Sequence, residues 1–302
     1  MTSPEYLRIK ALIESNLTFY LPPRNVHNKV LIDSMSYSLE AGGKRLRPVL
    51  LIATNNIFFN NEENALPFAC AVEYIHTYSL IHDDLPGIDN DELRRGKPTN
   101  HKVFGEGMAI IAGDGLLNTA YEIMANELAS KQECIDVIDY NIKNAMICAF
   151  KEIAFGAGIN GMVVGQAADI QIGTGAKKED LDFIHLNKTG ALIVASVKAG
   201  ALLGGASQEE FEKLSNYAKY LGLAFQIKDD LLDIHGNQET LGKTIGSDAR
   251  LNKKTYPGVY GEKESIEILS DYHKKALYYL ESFGEKAAVL VDITKELEFR
   301  LE

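Results

Sequence analysis

Apolar residues recur along most of the chain at intervals of three and four positions, the spacing of one face of an α-helix. One such stripe contains Leu116, Ala120, Met124 and Leu128, and another runs through residues 135 to 153. No alternating apolar and polar run of comparable length indicates a β-strand. The pattern therefore predicts an all-α protein of about ten or more helices.

The breaks between helical segments fall at Gly42-Gly43, Pro98, Gly105 and Pro257-Gly258. Glycine and proline end or bend helices, and the segments between them have the length of helices rather than of domains. No Pro-rich or Ser-rich linker and no short-period repeat divides the chain. We therefore predict a single domain, residues 1–302, folded as a helical bundle around a central apolar cavity.

The formal net charge of -11 over 302 residues argues against a nucleic-acid surface, which needs clustered cations. The amino terminus has neither a basic nor an apolar segment of the kind that directs secretion, so we expect a cytoplasmic protein. The longest weakly polar stretch, residues 190–206, is interrupted by Lys198 and glycines and is shorter than the roughly 20 apolar residues of a bilayer-spanning helix. We expect no membrane span.

Two clusters of aspartates lie beside apolar helical runs: the first acidic motif comprises Asp83, Asp84 and Asp89, and the second acidic motif comprises Asp229, Asp230 and Asp233. Their spacing predicts that the second motif projects from one side of a helix, whereas Pro86 should end the helix at the first motif and let Asp89 curl back. Carboxylates in apolar surroundings need a counter-charge, and oxygen ligands of this kind suit Mg²⁺ that bridges to phosphate. The two motifs predict a magnesium-bridged diphosphate site, with solvated acidic helix ends as the alternative.

Cations lie close to these acids. Residues 42–47, which we call the basic turn, place Lys44, Arg45 and Arg47 behind two glycines and form a candidate diphosphate clamp. Arg94 and Arg95 follow the first acidic motif, where the alternative is a solvated loop. His76 lies seven residues before Asp83, on nearly the same helix face, and is either a site residue or an ordinary core histidine.

Three weaker groups of polar residues complete the candidates. Gln166 and Asp169 are three apart in a helical segment, and Lys188 and Thr189 precede Gly190, which can break a helix. A polar loop after the second acidic motif offers two lysines to phosphate, Lys243 and Lys253. The segment around Lys243 is not a P-loop, because the first glycine of that motif is missing.

Taken in their order along the chain, these motifs resemble those of the trans-prenyl diphosphate synthases, most closely the bacterial farnesyl diphosphate synthases (geranyltranstransferases). The resemblance extends from about Leu39 to Gly261. Residues 83–89 look like the first aspartate-rich motif of that family in its bacterial form, and residues 229–233 look like the second. The resemblance implies a homodimer and a magnesium-dependent prenyltransferase, with three Mg²⁺ ions bound together with substrate.

The same resemblance assigns roles to individual residues. It implies that isopentenyl diphosphate is held by Lys44, Arg47, His76 and Arg95. It implies that the allylic diphosphate is held by Arg94, Lys188, Lys243 and Lys253, and through Mg²⁺ by the two acidic motifs. Thr189 and Gln226 would face the reacting carbon, and Asp169 would support the metal or Lys188. Catalysis would then depend on Asp83, Asp84, Asp89, Arg94, Lys188, Thr189, Gln226 and Asp229.

Chain length should depend on Tyr78, five residues before Asp83 and roughly 7 Å down the helix axis, where an aromatic residue would floor the pocket. The alternative for Tyr78 is ordinary core packing, but the resemblance implies a bulky residue at this position when the product stops at fifteen carbons. We therefore expect dimethylallyl or geranyl diphosphate to be extended to farnesyl diphosphate. The alternatives are a geranylgeranyl diphosphate synthase, a class I terpene cyclase and a non-catalytic regulatory subunit. Lys228, where the family more often has glutamine, is expected to weaken metal binding slightly.

Overall fold

The computed structural model describes residues 2–59, 61–130, 137–172, 177–235 and 255–298. Its first helices are α1 (Pro4–Asn16), α2 (Lys29–Leu39), α3 (Leu46–Phe58), α4 (Leu66–Asp83), α5 (Asn100–Phe104), α6 (Glu106–Ser130) and α7 (Val137–Ala157). They are followed by α8 (Met162–Ile172), α9 (Lys178–Ile184), α10 (Ala191–Gly204), α11 (Gln208–His235), α12 (Tyr256–Tyr260), α13 (Glu262–Leu280) and α14 (Ala288–Glu298).

Shorter elements connect these helices. Two 3₁₀ segments cover Leu17–Tyr20 and Glu281–Ala287, and a π-helical turn covers His185–Gly190 between α9 and α10. Strands β1 (Leu93–Arg94) and β2 (Lys97–Pro98) form a small antiparallel hairpin with Leu93 opposite Pro98. The prediction of an all-α architecture is confirmed, and the hairpin is a local addition to it.

Two helices, α4 and α10, form the centre of the packing. Helix α4 packs against α6 and α3, while α10 packs against α3, α7 and α11. Both helices bury apolar residues on all sides, for example Phe68 and Ile75 in α4 and Leu192 and Val197 in α10, each 0% exposed. A helix that is apolar all round is stable only inside a bundle, so these two helices order the others around them.

The ends of four elements carry the candidate chemistry. Helix α4 ends at Asp83, α3 begins at Leu46 within the basic turn, and α11 carries the second acidic motif in its last two turns. The π-helical turn leads into α10. Proline at the first turn of α3 is compatible with a helix start, which places residues 42–45 outside the helix.

Two helical stretches, Asn141–Ile172 and Glu179–Gly204, are long and apolar enough to cross a membrane. This test uses length and composition alone, and core helices of water-soluble proteins also pass it. The second stretch contains α10, whose apolar side chains are covered by α3, α7 and α11. The apolar character of α10 is therefore explained by its central position in the bundle.

Candidate active site

The first acidic motif lies at the C-terminal end of α4. The helix ends at Asp83, as Pro86 predicts, and the chain then turns back so that the Asp89 amide donates to the Asp83 carbonyl oxygen at 2.9 Å. Asp83 and Asp89 are partly exposed, whereas Asp84 is buried, with 3% of its surface exposed. Burial raises the pKa of Asp84 to about 6, although the neighbouring Arg94 acts in the opposite direction.

The β-hairpin supplies two arginines that serve two different regions. Arg94 pairs with Asp84, and its Nε donates to Asp84 Oδ1 at 3.0 Å. Arg95 adopts a left-handed backbone conformation at φ 54° and donates through Nη1 to the Gly42 carbonyl of the basic turn. One short hairpin therefore ties the first acidic motif to the basic turn.

The basic turn depends on glycine at the point where Arg95 crosses it. Gly43 has φ +117°, and a Cβ atom there would lie 2.7 Å from Arg95 Cζ. Because real Cβ atoms do not approach other heavy atoms this closely, a larger residue would displace the arginine. The prediction that these glycines lead a cationic turn is consistent with this geometry, since Lys44 is exposed at its tip.

Arg47 and His76 meet beside the basic turn. Arg47 Nη1 donates to His76 Nε2 at 3.3 Å, which leaves Nδ1 to carry the proton of a neutral imidazole. Desolvation, reinforced by Arg47, holds the pKa of His76 well below its usual range. Arg47 Nε is buried without a hydrogen-bond partner among the described residues, and desolvation lowers the pKa of Arg47 to about 10. An anion at this point would satisfy the guanidinium.

Contacts join the basic turn to α11. Lys44 Nζ lies 5.8 Å from the ring centroid of Phe225, the residue next to Gln226. Asp229 is close enough to act electrostatically on Arg47, opposing the lowering of its pKa by desolvation. The basic turn and the second acidic motif, far apart in sequence, therefore belong to one site.

The π-helical turn presents Lys188 and Thr189. Lys188 Nζ pairs with Asp169 Oδ2 at 2.7 Å, so Asp169 supports this lysine. Thr189 Oγ1 donates to Gln226 Oε1 at 2.7 Å. Helix α8 packs closely under the turn. A Cβ atom on Gly165 would lie only 2.1 Å from the backbone nitrogen of Lys188, so this position requires glycine. A π-helical turn contains one residue more than a turn of α-helix, and such turns are frequent at functional sites.

The three carboxylates of the second acidic motif have different surroundings. Asp229 is partly exposed, whereas Asp230 and Asp233 are only 3% and 5% exposed. Asp230 accepts hydrogen bonds from Gln226 Nε2 at 3.0 Å and from the Tyr256 amide at 2.9 Å. These bonds hold Gln226 in the orientation in which it accepts from Thr189. Asp229 is thus the more accessible member of the motif.

Magnesium ligation by the six aspartates stays a prediction. Among the described residues, no group of three or more His, Cys, Asp or Glu side chains is arranged to hold a metal ion alone. Accessible carboxylates that need further oxygen ligands fit Mg²⁺, which is bound through one or two carboxylates plus substrate phosphates. The residues present therefore fit a metal that arrives with a diphosphate.

Four predicted features need comment. Lys243 and Lys253 lie outside the described residues. Tyr78 is buried in α4, with its ring edge-on to His82 at a centroid distance of 5.7 Å. Lys228 is also buried, and its ammonium donates to the Leu297 carbonyl of α14, so it ties α11 to α14.

Sequence reasoning missed several residues that organise the site. Glu73 forms a buried ion pair under the basic turn with Arg45, with 2.6 Å between Nη1 and Oε1. Arg45 was expected in the diphosphate clamp, but its side chain is buried in this pair. Tyr256 holds Asp230, and its ring lies 5.1 Å from that of His185. A lone glutamate in the apolar run of α4 was a usable indication, because buried carboxylates need a cation.

The fold and the site define an all-α enzyme with two cationic regions around paired acidic motifs, the arrangement of a prenyltransferase. The family model of polyprenyl synthetases matches residues 28–283, and the chain belongs to this family. The chain is 45% identical over 286 residues to farnesyl diphosphate synthase of Geobacillus stearothermophilus, covering 94% of this chain and 93% of that protein. It is 44% identical over 274 residues to chloroplastic geranylgeranyl pyrophosphate synthase of Capsicum annuum, covering 90% of this chain and 72% of the relative.

A solved structure shows the same fold. Geranyltransferase from Helicobacter pylori, complexed with magnesium and isoprenyl diphosphate, superposes with a TM-score of 0.83 at 29% identity, covering 100% of this chain and 98% of the other. The prediction of the trans-prenyl diphosphate synthase family is confirmed. The relatives divide between enzymes named for fifteen-carbon and for twenty-carbon products.

Proposed function

We propose that this protein condenses isopentenyl diphosphate with dimethylallyl or geranyl diphosphate in a Mg²⁺-dependent reaction that yields farnesyl diphosphate and pyrophosphate. The observation that carries the proposal is the presence of two separate cationic regions. One consists of the basic turn with Arg47, His76 and Arg95, and the other consists of Arg94 and Lys188 beside the acidic motifs. Two anionic substrates require two such regions.

Arg94 and Lys188 would neutralise the departing diphosphate. Each is already oriented by a carboxylate, Arg94 by Asp84 and Lys188 by Asp169. Asp83, Asp89 and Asp229, the partly exposed carboxylates, would hold Mg²⁺, which supplies further positive charge to the leaving group when bound. Positive charge placed in advance where negative charge develops lowers the barrier to breaking the allylic carbon–oxygen bond.

Thr189 and Gln226 would stabilise the positive charge left on the allylic fragment. Their side-chain oxygens are joined by one hydrogen bond, and Asp230 fixes the amide so that Gln226 Oε1 faces Thr189. The double bond of isopentenyl diphosphate then forms the new carbon–carbon bond. Loss of a proton to the departed pyrophosphate restores a double bond, so no side chain is needed as nucleophile.

Tyr78 supports a product of fifteen carbons. It is 8% exposed and projects from α4 toward α6, where Tyr121 acts on it electrostatically. The ring centroid of Tyr121 in turn lies 5.9 Å from that of Phe150 in α7. An aromatic layer across three helices would stop a growing prenyl chain at this depth. A geranylgeranyl product is the second candidate, because relatives of similar identity carry that name.

The two other hypotheses, a class I terpene cyclase and a non-catalytic regulatory subunit, are less well supported. A class I terpene cyclase uses one diphosphate and has no need for the basic turn with Arg47 and His76. A non-catalytic regulatory subunit would be expected to have lost a carboxylate or a cation, and the described members of both sets are present. Comparing the reaction with and without isopentenyl diphosphate therefore distinguishes a condensing enzyme from a cyclase, and any product excludes a non-catalytic subunit.

We also propose a cytoplasmic homodimer. Large apolar side chains are exposed on α6, α7 and α8, namely Ile110, Ile111, Ile147, Phe155, Val163 and Ile170. The three helices are neighbours, α7 contacting both α6 and α8, and exposed apolar side chains on neighbouring helices are candidates for a protein–protein interface. Light scattering after size exclusion should give twice the mass of the chain, and the mass of one chain would contradict the dimer.

The direct test is product analysis by mass spectrometry. Purified protein with Mg²⁺, isopentenyl diphosphate and geranyl diphosphate should release pyrophosphate and accumulate a fifteen-carbon diphosphate. Omission of isopentenyl diphosphate is the control, because a cyclase would release pyrophosphate from geranyl diphosphate alone. A dominant twenty-carbon product would replace the proposed product by the second candidate.

A further inference from the structure

Arg45 occupies a conformation that its residue type rarely adopts. Its φ is 53°, in the left-handed region, at the position that caps the start of α3. Such backbone strain in a residue other than glycine persists only where surrounding contacts impose it, and it concentrates at functional sites. The contacts that impose it should therefore be identifiable.

The Arg45 side chain points into the protein, away from Lys44 at the tip of the turn. It is 3% exposed, and its guanidinium donates to Glu73 Oε1 at 2.6 Å, to the Leu39 carbonyl at 2.5 Å and to Glu14 Oε1 at 3.3 Å. These contacts come from α4, α2 and α1. Because its donors are used inside the protein, Arg45 is a support of the turn rather than a ligand of phosphate.

Glu73 is the acid that holds this arrangement together. It is 0% exposed in the middle of α4, and its second oxygen, Oε2, has no hydrogen-bond partner among the described residues. Arg95 Nη2 lies 3.8 Å from Glu73 Oε1. Glu73 also counteracts the lowering of the pKa of Arg47 and of Arg95 that desolvation causes. One buried carboxylate thus acts on three arginines around the basic turn.

Two further bonds fix the backbone of the same turn. Tyr6 of α1, 2% exposed, donates through its hydroxyl to the Lys44 carbonyl. Arg95 donates to the Gly42 carbonyl. The main chain on both sides of Gly43 is therefore held from below, while Lys44 remains exposed above it.

We propose that Arg45 and Glu73 are positioning residues, a buried ion pair that shapes the basic turn so that Lys44, Arg47 and Arg95 converge on the diphosphate of isopentenyl diphosphate. This inference rests on the proposed function for the identity of the ligand. Neither residue touches the substrate. Their effect is on the affinity of one diphosphate site and leaves the allylic site and the chemical step unchanged.

The test compares Glu73→Gln with the native protein in steady-state kinetics and in calorimetric binding of isopentenyl diphosphate. Glutamine keeps the shape and one acceptor but removes the charge. We expect KM and Kd for isopentenyl diphosphate to rise about tenfold, with kcat and KM for geranyl diphosphate changed by less than about twofold. A purely structural defect would instead lower the active fraction, and so kcat, with both KM values unchanged.

A second variant and a control complete the design. Tyr6→Phe removes one hydrogen bond from the turn without altering charge, and it should raise KM for isopentenyl diphosphate about threefold, which keeps the test decisive should Glu73→Gln fail to fold. Arg8→Gln is the control, because Arg8 also pairs with two carboxylates, on the exposed face of α1. Its kinetics should match the native protein.

The possible outcomes separate this inference from the proposed function. Unchanged isopentenyl diphosphate affinity in Glu73→Gln, or in Tyr6→Phe if only that variant folds, would overturn the positioning role. Native protein that binds isopentenyl diphosphate without forming a prenyl product would overturn the proposed function, and the binding comparison would still decide the role of Glu73. Absence of any binding by the native protein would overturn both.

Discussion

At the scale of single residues, three cations of the two cationic regions have carboxylate partners within the protein itself. Arg94 pairs with Asp84, Lys188 with Asp169, and Arg95 approaches Glu73. Buried or half-buried charges are stable only with such partners, and the partners also fix the geometry of the cations. The site is thus organised before substrate arrives, which is the condition for electrostatic catalysis.

The Asp229→Asn variant tests whether the partly exposed carboxylate of the second acidic motif binds Mg²⁺. We expect kcat to fall by about 10² to 10³ and the Mg²⁺ concentration for half-maximal rate to rise, since an amide is a weaker ligand than a carboxylate. Initial rates over a Mg²⁺ titration measure both effects. Asp292→Asn on α14 is the matched control, and equal behaviour of the two variants would exclude Asp229 as a metal ligand.

The neutral state of His76 predicts a specific pH dependence. Desolvation and Arg47 hold its pKa well below the usual range, so the imidazole stays neutral at and above its ordinary pKa of about 6.5 and gains a proton only under more acidic conditions. The ratio of KM for isopentenyl diphosphate between His76→Gln and native protein should therefore be constant from about pH 6 to pH 8.5. An inflection of that ratio near pH 6.5 would show that His76 acts as a cation.

At the scale of elements, the sequence predicted a helical protein but not two of the short elements that connect its helices. These are the π-helical turn between α9 and α10 and the β-hairpin between α4 and α5. Pro86 correctly placed the end of α4 and the return of Asp89. Gly190 indicated a helix break, but the sequence did not predict that residues 185–190 form a π-helical turn, which packs against Gly165 of α8. The β-hairpin was missed because two-residue strands are too short to produce an alternating pattern.

If the proposed function holds, the position of Tyr78 in α4 sets the depth of the pocket that receives the prenyl chain. Tyr78→Ala should shift the main product from fifteen to twenty or more carbons, because the side chain that closes the pocket is removed. Mass analysis of the products measures this directly and is insensitive to a loss of folding stability. Tyr278→Ala, at a tyrosine that is 66% exposed on α13, is the matched control and should give native products.

Lys228 connects α11 to the C-terminal helix. Lys228→Met should remove the donor to the Leu297 carbonyl and cost about 1 to 3 kcal/mol of folding free energy, the penalty for a buried acceptor without a partner. Thermal unfolding should therefore occur several degrees lower, while Lys228→Gln, which keeps a donor, should lose less. An unchanged midpoint in Lys228→Met would show that the contact contributes no stability.

At the scale of the whole molecule, the sequence motifs were sufficient to predict the family but not the contacts that support the candidate site. The two acidic motifs and the basic turn were identifiable because unusual charges stand beside apolar runs. Tyr6, Glu73 and Tyr256 were not identified, because their roles depend on which helices meet in space. Arg45 was expected in the diphosphate clamp and is instead buried beneath it. The supporting residues come from α1, α4 and α12, elements far apart in the chain.

Metal and diphosphate should bind to the site only together. Magnesium with an unreactive allylic thiodiphosphate should raise the thermal midpoint, whereas either component alone should have little effect. Ligand at about 100 times its dissociation constant stabilises the folded state by about 2.7 kcal/mol. Replacing Mg²⁺ with EDTA serves as the control, and full stabilisation by the thiodiphosphate in EDTA would contradict binding through metal.

The most direct test of the central claim is a crystal structure with Mn²⁺ in place of Mg²⁺ and an unreactive allylic thiodiphosphate, with the metal located by anomalous scattering. We predict Mn²⁺ ions bound to both acidic motifs, at Asp83 and at Asp229, and bridged by oxygens of one diphosphate. Ions confined to one motif, or a diphosphate bound without metal between them, would contradict the account.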